Sequence, residues 1–295
     1  MPWNLAGVSI DSAGVVGGTE LTPGALRRCS SLRQRMAADL GDIAAPVHEP
    51  RLDAASGLVG YRELIAATEA IRRTFDSWLD PDRRLVVLGG CCTLMIGLGA
   101  ATRDRFGHFG IAYIDGHLDL YDGQSSPSGE AADVPLATML GHGDPGILVA
   151  AGGPSLAPEQ VYLLGHRDGV QAKGHGSLMP EDFGPGFRHV DTRSIREEGA
   201  AKVGAAARAH FDGLDRPFWL FLDVDVLDPA VFPATDALID DGLDWAELEA
   251  LAGPLARSPH LLGIVTTCYN PEKDQGGACG RRLGQFLEGV VESNP

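Results

Sequence analysis

The sequence has few lysines and little positive charge relative to its acidic content. Lys173, Lys202 and Lys273 are its only lysines, and 24 basic residues face 40 acidic ones, which gives a net charge of −16. So acidic a chain repels nucleic acids and anionic membranes, and we expect neither as a partner. The charge otherwise concerns solubility and does not indicate a substrate.

The cysteines lack the spacing of a disulfide framework. Cys29, Cys91, Cys92, Cys268 and Cys279 are odd in number, and no Cys-x-x-Cys segment occurs. We therefore expect reduced thiols and a cytoplasmic protein. The start of the chain has no basic segment before an apolar one, so no signal peptide is expected.

Long apolar runs that could cross a membrane are also missing. Residues 85–102 carry no charge, but Gly89, Gly90, Gly97 and Gly99 interrupt them. The first glycine pair falls where a strand is expected to turn into a helix. We therefore predict a buried strand and helix here rather than a membrane span.

Short apolar runs alternate with longer helical or irregular stretches along the chain. The composition, 44% hydrophobic and 22% charged, is that of a globular protein, and we expect residues 1–295 to form a single domain. The runs are continuously apolar, as in strands that helices cover on both faces. We predict an α/β fold, a three-layer α/β/α sandwich with a mainly parallel sheet, and strands at 5–10, 85–88, 111–114, 161–164, 218–222 and 261–267.

Helical periodicity and end signals predict three of the helices. They cover residues 23–39, 61–79 and 245–251. Thr22 is expected to cap the first of them, and Asp244 to precede the third. In parallel α/β sheets, ligands bind at the carboxyl ends of the strands, so a site is expected there.

Candidate metal ligands follow two of the predicted strands. Asp115, His117 and Asp119 alternate after one apolar run, and Asp223 and Asp225 follow another. Carboxylates are costly to bury unpaired, so their recurrence at strand ends needs a common reason. If the chain stays extended, alternate side chains point to one side and converge, and the second pair faces them from a neighbouring strand. We predict a divalent metal site made of these five residues.

The ligand types indicate a transition metal. Four carboxylates and one imidazole suit Mn²⁺, Zn²⁺, Fe²⁺, Co²⁺ or Ni²⁺ better than Ca²⁺ in an all-oxygen site. One or two such ions would activate water for attack on an electrophilic carbon. Two exposed, aspartate-rich loops are the plain alternative, and they leave the alternation and its recurrence unexplained.

Several segments together carry a family resemblance. They are Gly-Gly-Cys-Cys at 89–92, Asp-Gly-His-Leu-Asp at 115–119, Asp-Val-Asp-Val-Leu-Asp-Pro at 223–229 with Pro-Ala-Thr at 233–235, Asp-Gly-Leu at 241–243 and a glycine-rich stretch at 17–23. In this order they resemble the ureohydrolase family, which contains arginase, agmatinase and formiminoglutamase. The resemblance spans residues 7–271. It implies an arginase-like fold, manganese as the usual metal, and a homo-oligomer, either a trimer or a hexamer.

One metal position departs from the family. The family has a histidine there that binds one of two ions, whereas this chain has Cys92. The resemblance assigns the unaltered ion to Asp115, His117, Asp223 and Asp225. It assigns the altered one to Cys92, Asp115, Asp119 and Asp223. A thiolate favours Zn²⁺ or Fe²⁺ over Mn²⁺. The alternatives are a one-metal enzyme and an inert buried thiol at Cys92, while Cys91 is expected to serve packing.

The segment that resembles the family's substrate loop is altered too. Arginases have Ser-Gly-Asn-x-His-Gly, whereas this chain reads Ser-Gly-Glu-Ala-Ala-Asp at 128–133. Glu130 replaces the asparagine that holds a substrate carboxylate, and Ala132 replaces a proton-shuttling histidine. A glutamate repels a carboxylate and attracts an amine. We predict that Glu130 and Asp133 bind substrate, with plain solvated loop residues as the alternative.

Three more positions bear on the substrate and on proton transfer. By the resemblance, Cys268 replaces the glutamate that grips a guanidinium, so we predict that Cys268 also binds substrate. Val170 replaces an aspartate that contacts the amine of the amino acid. Both changes make L-arginine a poor candidate substrate. His166, at a predicted strand end, is a candidate replacement for the missing proton shuttle.

Together, the residues and the resemblance predict a metal-dependent hydrolase acting on linear amidines. It would cleave a non-peptide C–N bond in a small guanidino or amidino compound, with Asp119 orienting or deprotonating the water and His166 transferring protons. One alternative is a catalytically silent relative that keeps the fold for binding or scaffolding. Another is a metal-dependent amide or formamide hydrolase.

Overall fold

The computed structural model describes residues 1–12 and 17–294. All strands of the described chain join one eight-stranded sheet. In chain order they are β1 (Trp3–Ser9), β2 (Ala38–Ala44), β3 (Arg84–Gly89), β4 (Gly110–Ile114), β5 (Val161–Leu164), β6 (Arg188–Val190), β7 (Phe218–Asp223) and β8 (Leu261–Thr267).

Helices form most of the connections between these strands. In chain order they are α1 (Thr22–Cys29), α2 (Leu32–Arg35), α3 (Tyr61–Trp78), α4 (Leu94–Phe106), α5 (Pro135–Met139), α6 (Pro145–Ala151), α7 (Gly169–Gly174), α8 (Thr192–Glu198), α9 (Ala200–Leu214), α10 (Trp245–Ala256) and α11 (Ala278–Ser293). Short 3₁₀ segments at Ala131–Asp133 and Val224–Val226 lie in loops after β4 and β7.

The strand order brings four strand ends side by side. The sheet runs β2-β1-β3-β8-β7-β4-β5-β6, and every described pairing is parallel. Thr266 pairs with Leu88 of β3 and with Leu222 of β7, and Leu222 pairs with Ile114 of β4. The carboxyl ends of β3, β8, β7 and β4 therefore lie at one level of the same sheet edge.

Apolar side chains alternate between the two faces of the sheet. On one face, Val87, Tyr113 and Phe221 belong to a buried cluster with α3 and α4. On the other, Leu88 and Leu222 belong to a cluster with α9, α10 and α11. The strands are thus covered on both sides, which explains why their sequences read as continuous apolar runs. The predicted three-layer α/β/α sandwich with a parallel sheet is confirmed.

The predicted helix at residues 23–39 is wrong in extent. α1 ends at Cys29, because Ser30 is extended with ψ 165° and its hydroxyl donates to the carbonyl of Leu26. The chain then forms α2 and β2, and β2 pairs with β1 at the edge of the sheet. Within β2 only Ile43 is buried, so this edge strand has no apolar run by which the sequence indicates a strand.

Most other predicted elements are confirmed with small shifts. The six predicted strands correspond to β1, β3, β4, β5, β7 and β8, and the predicted helix at 61–79 corresponds to α3. Asp244 caps α10 through the backbone N–H of Glu247, but the helix continues beyond residue 251 to Ala256. Thr22 is not a cap, because it lies inside α1 and its hydroxyl donates to the carbonyl of Tyr269.

The uncharged stretch at residues 85–102 forms β3 and the first part of α4. Gly90, between them, needs its lack of a side chain, because a Cβ there would lie 1.8 Å from the carbonyl oxygen of Ile10. No helix in the described ranges combines the length and apolar character that a membrane crossing requires.

Candidate metal centre

A cavity of about 200 Å³ opens where β3, β8, β7 and β4 end. This is the edge at which parallel α/β sheets bind their ligands. Its lining includes all six residues predicted to bind metal, namely Cys92, Asp115, His117, Asp119, Asp223 and Asp225. The sheet therefore brings three distant sequence segments to one place, and their role as ligands stays a prediction.

Asp115, His117 and Asp225 form a close group of polar side chains in the cavity. One ligand atom of each lies within 4.8 Å of the others. Nδ1 of His117 lies 3.1 Å from Oδ2 of Asp225 and 3.6 Å from Oδ1 of Asp115. The backbone N–H of Gly116 donates to Oδ1 of Asp225 at 3.1 Å, and that of His117 donates to Oδ1 of Asp115 at 2.7 Å. Backbone donors thus fix both carboxylates beside the imidazole.

The chain beyond β4 is not extended, contrary to the expectation from the alternating ligands. The backbone bends after Ile114, and Asp119 has φ 53°, in the left-handed region. This conformation costs a non-glycine residue about 1–3 kcal/mol, and such residues cluster at functional sites. The bend, rather than strand alternation, returns Asp119 to the cavity, where the hydroxyl of Tyr113 donates to its Oδ2 at 2.6 Å.

Asp223 lies at the end of β7. On one side of it is the group formed by Asp115, His117 and Asp225, and on the other is the cavity wall formed by the segments that follow β3 and β8. It pairs in register with Thr267 of β8, whose hydroxyl donates to its Oδ2 at 2.9 Å. The backbone N–H of Asp225 donates to its Oδ1 at 3.1 Å. One oxygen is therefore oriented by a donor at the end of β8 and the other by a donor in the 3₁₀ segment after β7.

These buried carboxylates destabilise one another as anions. Burial, followed by the charges of Asp225 and Asp223, raises the pKa of Asp115 well above its usual range. Burial likewise raises the pKa of Asp119 and of Asp223, with further effects from Asp115 and from Asp225. Against the opposing effect of burial, Asp225 raises the pKa of His117, and His117 lowers that of Asp225. A proton on the imidazole thus supplies positive charge to the cluster.

The donor set fits a divalent transition metal. Carboxylate oxygens and an imidazole nitrogen are the ligands that such ions bind, and here they lie within 4.8 Å of one another in Asp115, His117 and Asp225. A cation at this point would relieve the mutual repulsion that raises the pKa values of the buried carboxylates.

Three thiols line the adjoining wall of the cavity. Cys91 and Cys92 follow β3, Cys268 follows β8, and their sulfur atoms all lie within 4.8 Å of one another. The Ser12 hydroxyl donates to the sulfur of Cys91 at 2.8 Å, and the thiol of Cys92 donates to the carbonyl of Ala132 at 3.3 Å. Cys91, which was expected to serve packing, therefore also faces the cavity with the other two.

The thiol contacts make one cysteine more acidic than its neighbours. Hydrogen bonds from Cys268 and Cys92 lower the pKa of the Cys91 thiol well below its usual range. Contacts with Cys268 and Cys91 raise the pKa of the Cys92 thiol, and the contact with Cys91 raises that of the Cys268 thiol. The first thiolate of the group therefore forms on Cys91.

Glu130 and Asp133, predicted to bind substrate, both line the cavity. Oδ2 of Asp133 accepts hydrogen bonds from the hydroxyls of Ser126 at 2.5 Å and Ser128 at 2.9 Å, so this carboxylate partly serves its own loop. Glu130 is half-buried, and burial followed by the charge of Asp133 raises its pKa to about 7. The charge of Glu130 therefore changes near neutral pH.

Asp236 is a cavity residue that the sequence reasoning missed. One of its oxygens accepts a hydrogen bond from Asn270 at 2.8 Å and lies 2.7 Å from Nζ of Lys273. The other oxygen is buried without a hydrogen-bond partner in the described structure. The signal was available, because Asp236 directly follows the Pro-Ala-Thr segment at 233–235 that carried part of the resemblance.

Arg167 and Asp168 hold the loops that carry the candidate ligands, and sequence reasoning gave them no such role. The guanidinium of Arg167 donates to the carbonyl of Asp225 at 2.7 Å, and Oδ2 of Asp168 accepts from the backbone N–H of Leu118 at 3.3 Å. Gly116 permits this packing, because a Cβ there would lie 2.6 Å from Nη1 of Arg167.

His166, predicted as a proton shuttle, does not lie among the residues that line the cavity. It follows β5, on the far side of β4, and its Nε2 lies 3.1 Å from Nδ1 of His189 in β6. Burial, followed by the effect of His189, lowers its pKa to about 4. The strand order, which the sequence does not reveal, thus separates this histidine from the site. Val170 is 93% exposed and also lies outside the cavity.

Comparisons with known proteins agree over nearly the whole chain. A sequence model of the Arginase family matches residues 2–285. The arginase of Bacillus caldovelox is 26% identical over 284 residues, which cover 93% of this chain and 92% of that protein. Its crystal structure is similar with a TM-score of 0.85 at 23% identity, covering 100% of this chain and 99% of that one. A hypothetical agmatinase from Burkholderia thailandensis has a TM-score of 0.73 at 21% identity, covering 99% and 85%.

Proposed function

This chain belongs to the arginase family, and from that premise we propose that it is a metal-dependent hydrolase of a small guanidino or amidino compound. It cleaves a non-peptide C–N bond with water, and its substrate is not L-arginine itself. The observation that carries the proposal is the cavity in which Asp115, His117, Asp119, Asp223 and Asp225 meet.

Asp115, His117, Asp223 and Asp225 would hold one divalent cation, and Cys92 with Asp119 would contribute to a second. When bound, a divalent ion lowers the pKa of water and stabilises negative charge that develops during attack on carbon. Manganese is the choice that the family suggests, with zinc, iron, nickel or cobalt as alternatives.

Asp119 is the proposed general base. Its Oδ2 is held by the hydroxyl of Tyr113 at 2.6 Å, which leaves Oδ1 available to accept a proton from the attacking water. Burial raises the pKa of this carboxyl, so it takes up a proton more readily than an exposed aspartate does. Because Asp119 lines the cavity, its protonated form can return the proton to the departing nitrogen.

The charge of the cavity wall supports a cationic substrate without a carboxylate. Glu130 and Asp133 line the cavity together with the candidate metal ligands, and neither lysine nor arginine occurs among its described lining residues. Asp236 lines it too, with its charge offset by Lys273. A guanidinium or amidinium ion with a further amine is complementary to such a wall, whereas a substrate carboxylate would lack a basic partner.

A matched substrate screen tests this proposal. Metal-loaded protein is incubated with guanidines, amidines and amides, and release of urea, ammonia and amine is measured. Turnover of a guanidine or amidine that falls at least ~100-fold in Asp119→Asn supports the proposed base, provided that the cation assigned to Asp115, His117, Asp223 and Asp225 stays bound. Turnover confined to amides or formamides would contradict it and favour the amide-hydrolase alternative.

A catalytically silent relative is the second candidate. The replacement of imidazole by thiol at Cys92 and of the proton-shuttling histidine by Ala132 favours it. Metal analysis of protein purified without chelators, before and after supplementation, separates the two. Bound transition metal together with turnover excludes the silent protein, and absence of both supports it.

Two further features of the proposal rest on the sequence, one on its cysteine pattern and the other on the family resemblance. They are a cytoplasmic location and a homo-oligomer, either a trimer or a hexamer. Light scattering coupled to size exclusion gives the mass directly, and a mass equal to the 31.1 kDa of one chain would contradict the oligomer.

A further inference from the structure

The three thiols of the cavity wall are brought together by the sheet. Cys91 and Cys92 follow β3 and Cys268 follows β8, and these strands are neighbours in register, with Leu88 paired to Thr266. The backbone N–H of Cys268 donates to the carbonyl of Gly90 at 2.6 Å, which joins the two loops directly. The convergence therefore follows from the central part of the fold.

The backbone of Cys268 is held in a conformation that suits glycine better. Its φ is 65°, in the left-handed region, where a non-glycine residue costs about 1–3 kcal/mol. This conformation places the Cys268 sulfur within 4.8 Å of the other two sulfurs. Backbone strain of this kind clusters at functional sites, so it supports a functional role for the position of this sulfur.

The sulfur spacing matches tetrahedral coordination. The sulfur atoms of Cys91 and Cys92 are 3.8 Å apart. Two thiolates bound to one zinc ion at about 2.3 Å, with tetrahedral angles, are separated by about 3.8 Å. The thiols therefore meet the distance requirement of a zinc ligand set without rearrangement of this pair.

We propose that Cys91, Cys92 and Cys268 form a thiolate site for Zn²⁺ or a similarly soft divalent ion, beside the oxygen and nitrogen ligands of the first cation. Each thiol releases its proton to solvent as its sulfur binds, and the fourth position faces the cavity. The hydroxyl of Ser12, 2.8 Å from the sulfur of Cys91, donates a hydrogen bond that stabilises the thiolate. The centre is therefore asymmetric, with a harder site after β4 and β7 and a softer one after β3 and β8.

This site differs from the pair of similar ions that the family resemblance implies, and it does not require that the chain be a hydrolase. Its test is therefore a binding measurement. Protein is purified under reducing conditions, stripped with chelator and titrated with Co²⁺, which replaces zinc in tetrahedral thiolate sites. We expect one sulfur-to-cobalt charge-transfer band in the near ultraviolet and intense visible bands of a tetrahedral ion, both displaced by one equivalent of Zn²⁺.

Serine variants assign the ligands. Cys91→Ser, Cys92→Ser and Cys268→Ser should each weaken Zn²⁺ binding at least ~10–100-fold, since loss of groups that only orient a ligand already costs this much. Cys29→Ser and Cys279→Ser are matched controls, because both cysteines are half-buried and lie outside the cavity. Charge-transfer bands that survive all three cavity substitutions, or that fall equally in the controls, overturn the proposal.

A second measurement keeps the proposal testable if a variant fails to fold. In the unmodified protein, bound Zn²⁺ should protect Cys91, Cys92 and Cys268 from alkylation, and chelator should expose them, while Cys29 and Cys279 react alike in both states. Asp225→Asn should lose Mn²⁺ binding but keep the cobalt–sulfur band. A disulfide among the three cysteines in protein purified under reducing conditions would contradict a separate thiolate site. So would equal alkylation with and without zinc, or loss of the cobalt–sulfur band in Asp225→Asn.

Discussion

Single hydrogen bonds orient the groups on which the proposed chemistry depends. The hydroxyl of Tyr113, which is fully buried, donates to Asp119 at 2.6 Å, and Asp119 is buried except where it lines the cavity. Tyr61 makes the same kind of bond to Asp144, also at 2.6 Å, but away from the cavity. The two tyrosines therefore separate the effect of losing a hydrogen bond from the effect of releasing the proposed base.

Tyr113→Phe should lower the free energy of unfolding by about 1–3 kcal/mol, because it leaves a buried carboxylate oxygen without its donor. It should also reduce kcat more than KM, since the orientation of Asp119 matters in the reaction and not in substrate binding. Denaturant unfolding and steady-state kinetics measure the two effects. Tyr61→Phe is the control, with a cost in stability and no change in kcat. Equal kcat in both variants would show that the hydrogen bond from Tyr113 does not orient a catalytic Asp119.

Glu130 contributes a carboxylate to the cavity whose charge changes near neutral pH. Its pKa is raised to about 7, so it becomes an anion as pH rises through that value. We expect kcat/KM for an amine-ended guanidine to exceed that for its carboxylate counterpart, with a difference that grows above pH 7. The preference should amount to about 1–3 kcal/mol, or ~5–150-fold.

Matched kinetics on the two substrates decide this prediction. Glu130→Asn should narrow the preference and remove its change with pH, whereas Glu197→Asn, at an exposed helix position, should leave both unchanged. Equal kcat/KM for the two substrates, or a preference for the carboxylate, would show that Glu130 does not face the substrate.

At the scale of elements, β7 is the centre of the site. It lies between β8, which carries Thr267 and leads to Cys268, and β4, which leads to Asp115. Asp223 at its end is therefore the residue best placed to contact both proposed ions. Asp223→Ala should remove most bound metal and all activity together, with loss of the stability that metal binding confers.

Metal analysis of purified Asp223→Ala, with a thermal unfolding curve, checks this prediction. The control is Asp240→Ala, which removes an exposed carboxylate from a loop outside the cavity and should keep both metal and activity. Full metal content in Asp223→Ala would overturn the assignment of Asp223 as a shared ligand.

Elements buried on both faces were predictable, and exposed edges were not. β4 and β7 are recognisable in the sequence as continuous apolar runs, and the acidic residues predicted to bind metal lie at or just after their ends. β2 has one buried residue, so its strand character depends on pairing with β1 rather than on its own composition. For the same reason no strand was predicted there, and the predicted helix at 23–39 extended into the first two residues of β2.

Side-chain contacts that depend on strand order could not be predicted from the sequence. His166 and Asp115 both follow predicted strands, yet only one reaches the cavity, because β4 and not β5 adjoins β7. The meeting of Cys268 with Cys91 and Cys92 depends equally on the pairing of β3 with β8. The left-handed conformation of Asp119 was also unforeseen, since alternation predicted an extended chain.

For the whole molecule, the concentration of buried carboxylates predicts a pH-dependent stability. The pKa values of Asp115, Asp119 and Asp223 are raised in the folded protein. Groups of this kind stabilise the fold below their unfolded pKa, about 4 for aspartate, and the contribution is lost as pH rises through the folded pKa. His117, with its raised pKa, acts in the same direction. Asp225 has a lowered pKa in the folded protein. It therefore stabilises the fold above its unfolded pKa, and this stabilisation is lost as pH falls through its folded pKa.

We therefore expect the Tm of metal-free protein to fall as pH rises above about 4 and on through neutral pH. Added Mn²⁺ or Zn²⁺ should raise Tm most at the highest pH, because fewer protons then compete for the ligands. Scanning calorimetry of stripped and metal-loaded protein across this range gives both curves. A Tm of stripped protein that rises steadily with pH would contradict the account of the buried cluster.

The central claim is that a cation held by Asp115, His117, Asp223 and Asp225 is required for hydrolysis of a guanidine or amidine. The most direct measurement is urea release from an amine-ended guanidine by chelator-stripped protein during titration with Mn²⁺, with bound metal counted in parallel. We predict no release from stripped protein, recovery in proportion to bound metal, and neither binding nor recovery in Asp225→Asn. Full activity in stripped protein, or metal-loaded protein that hydrolyses no guanidine or amidine, would contradict the claim.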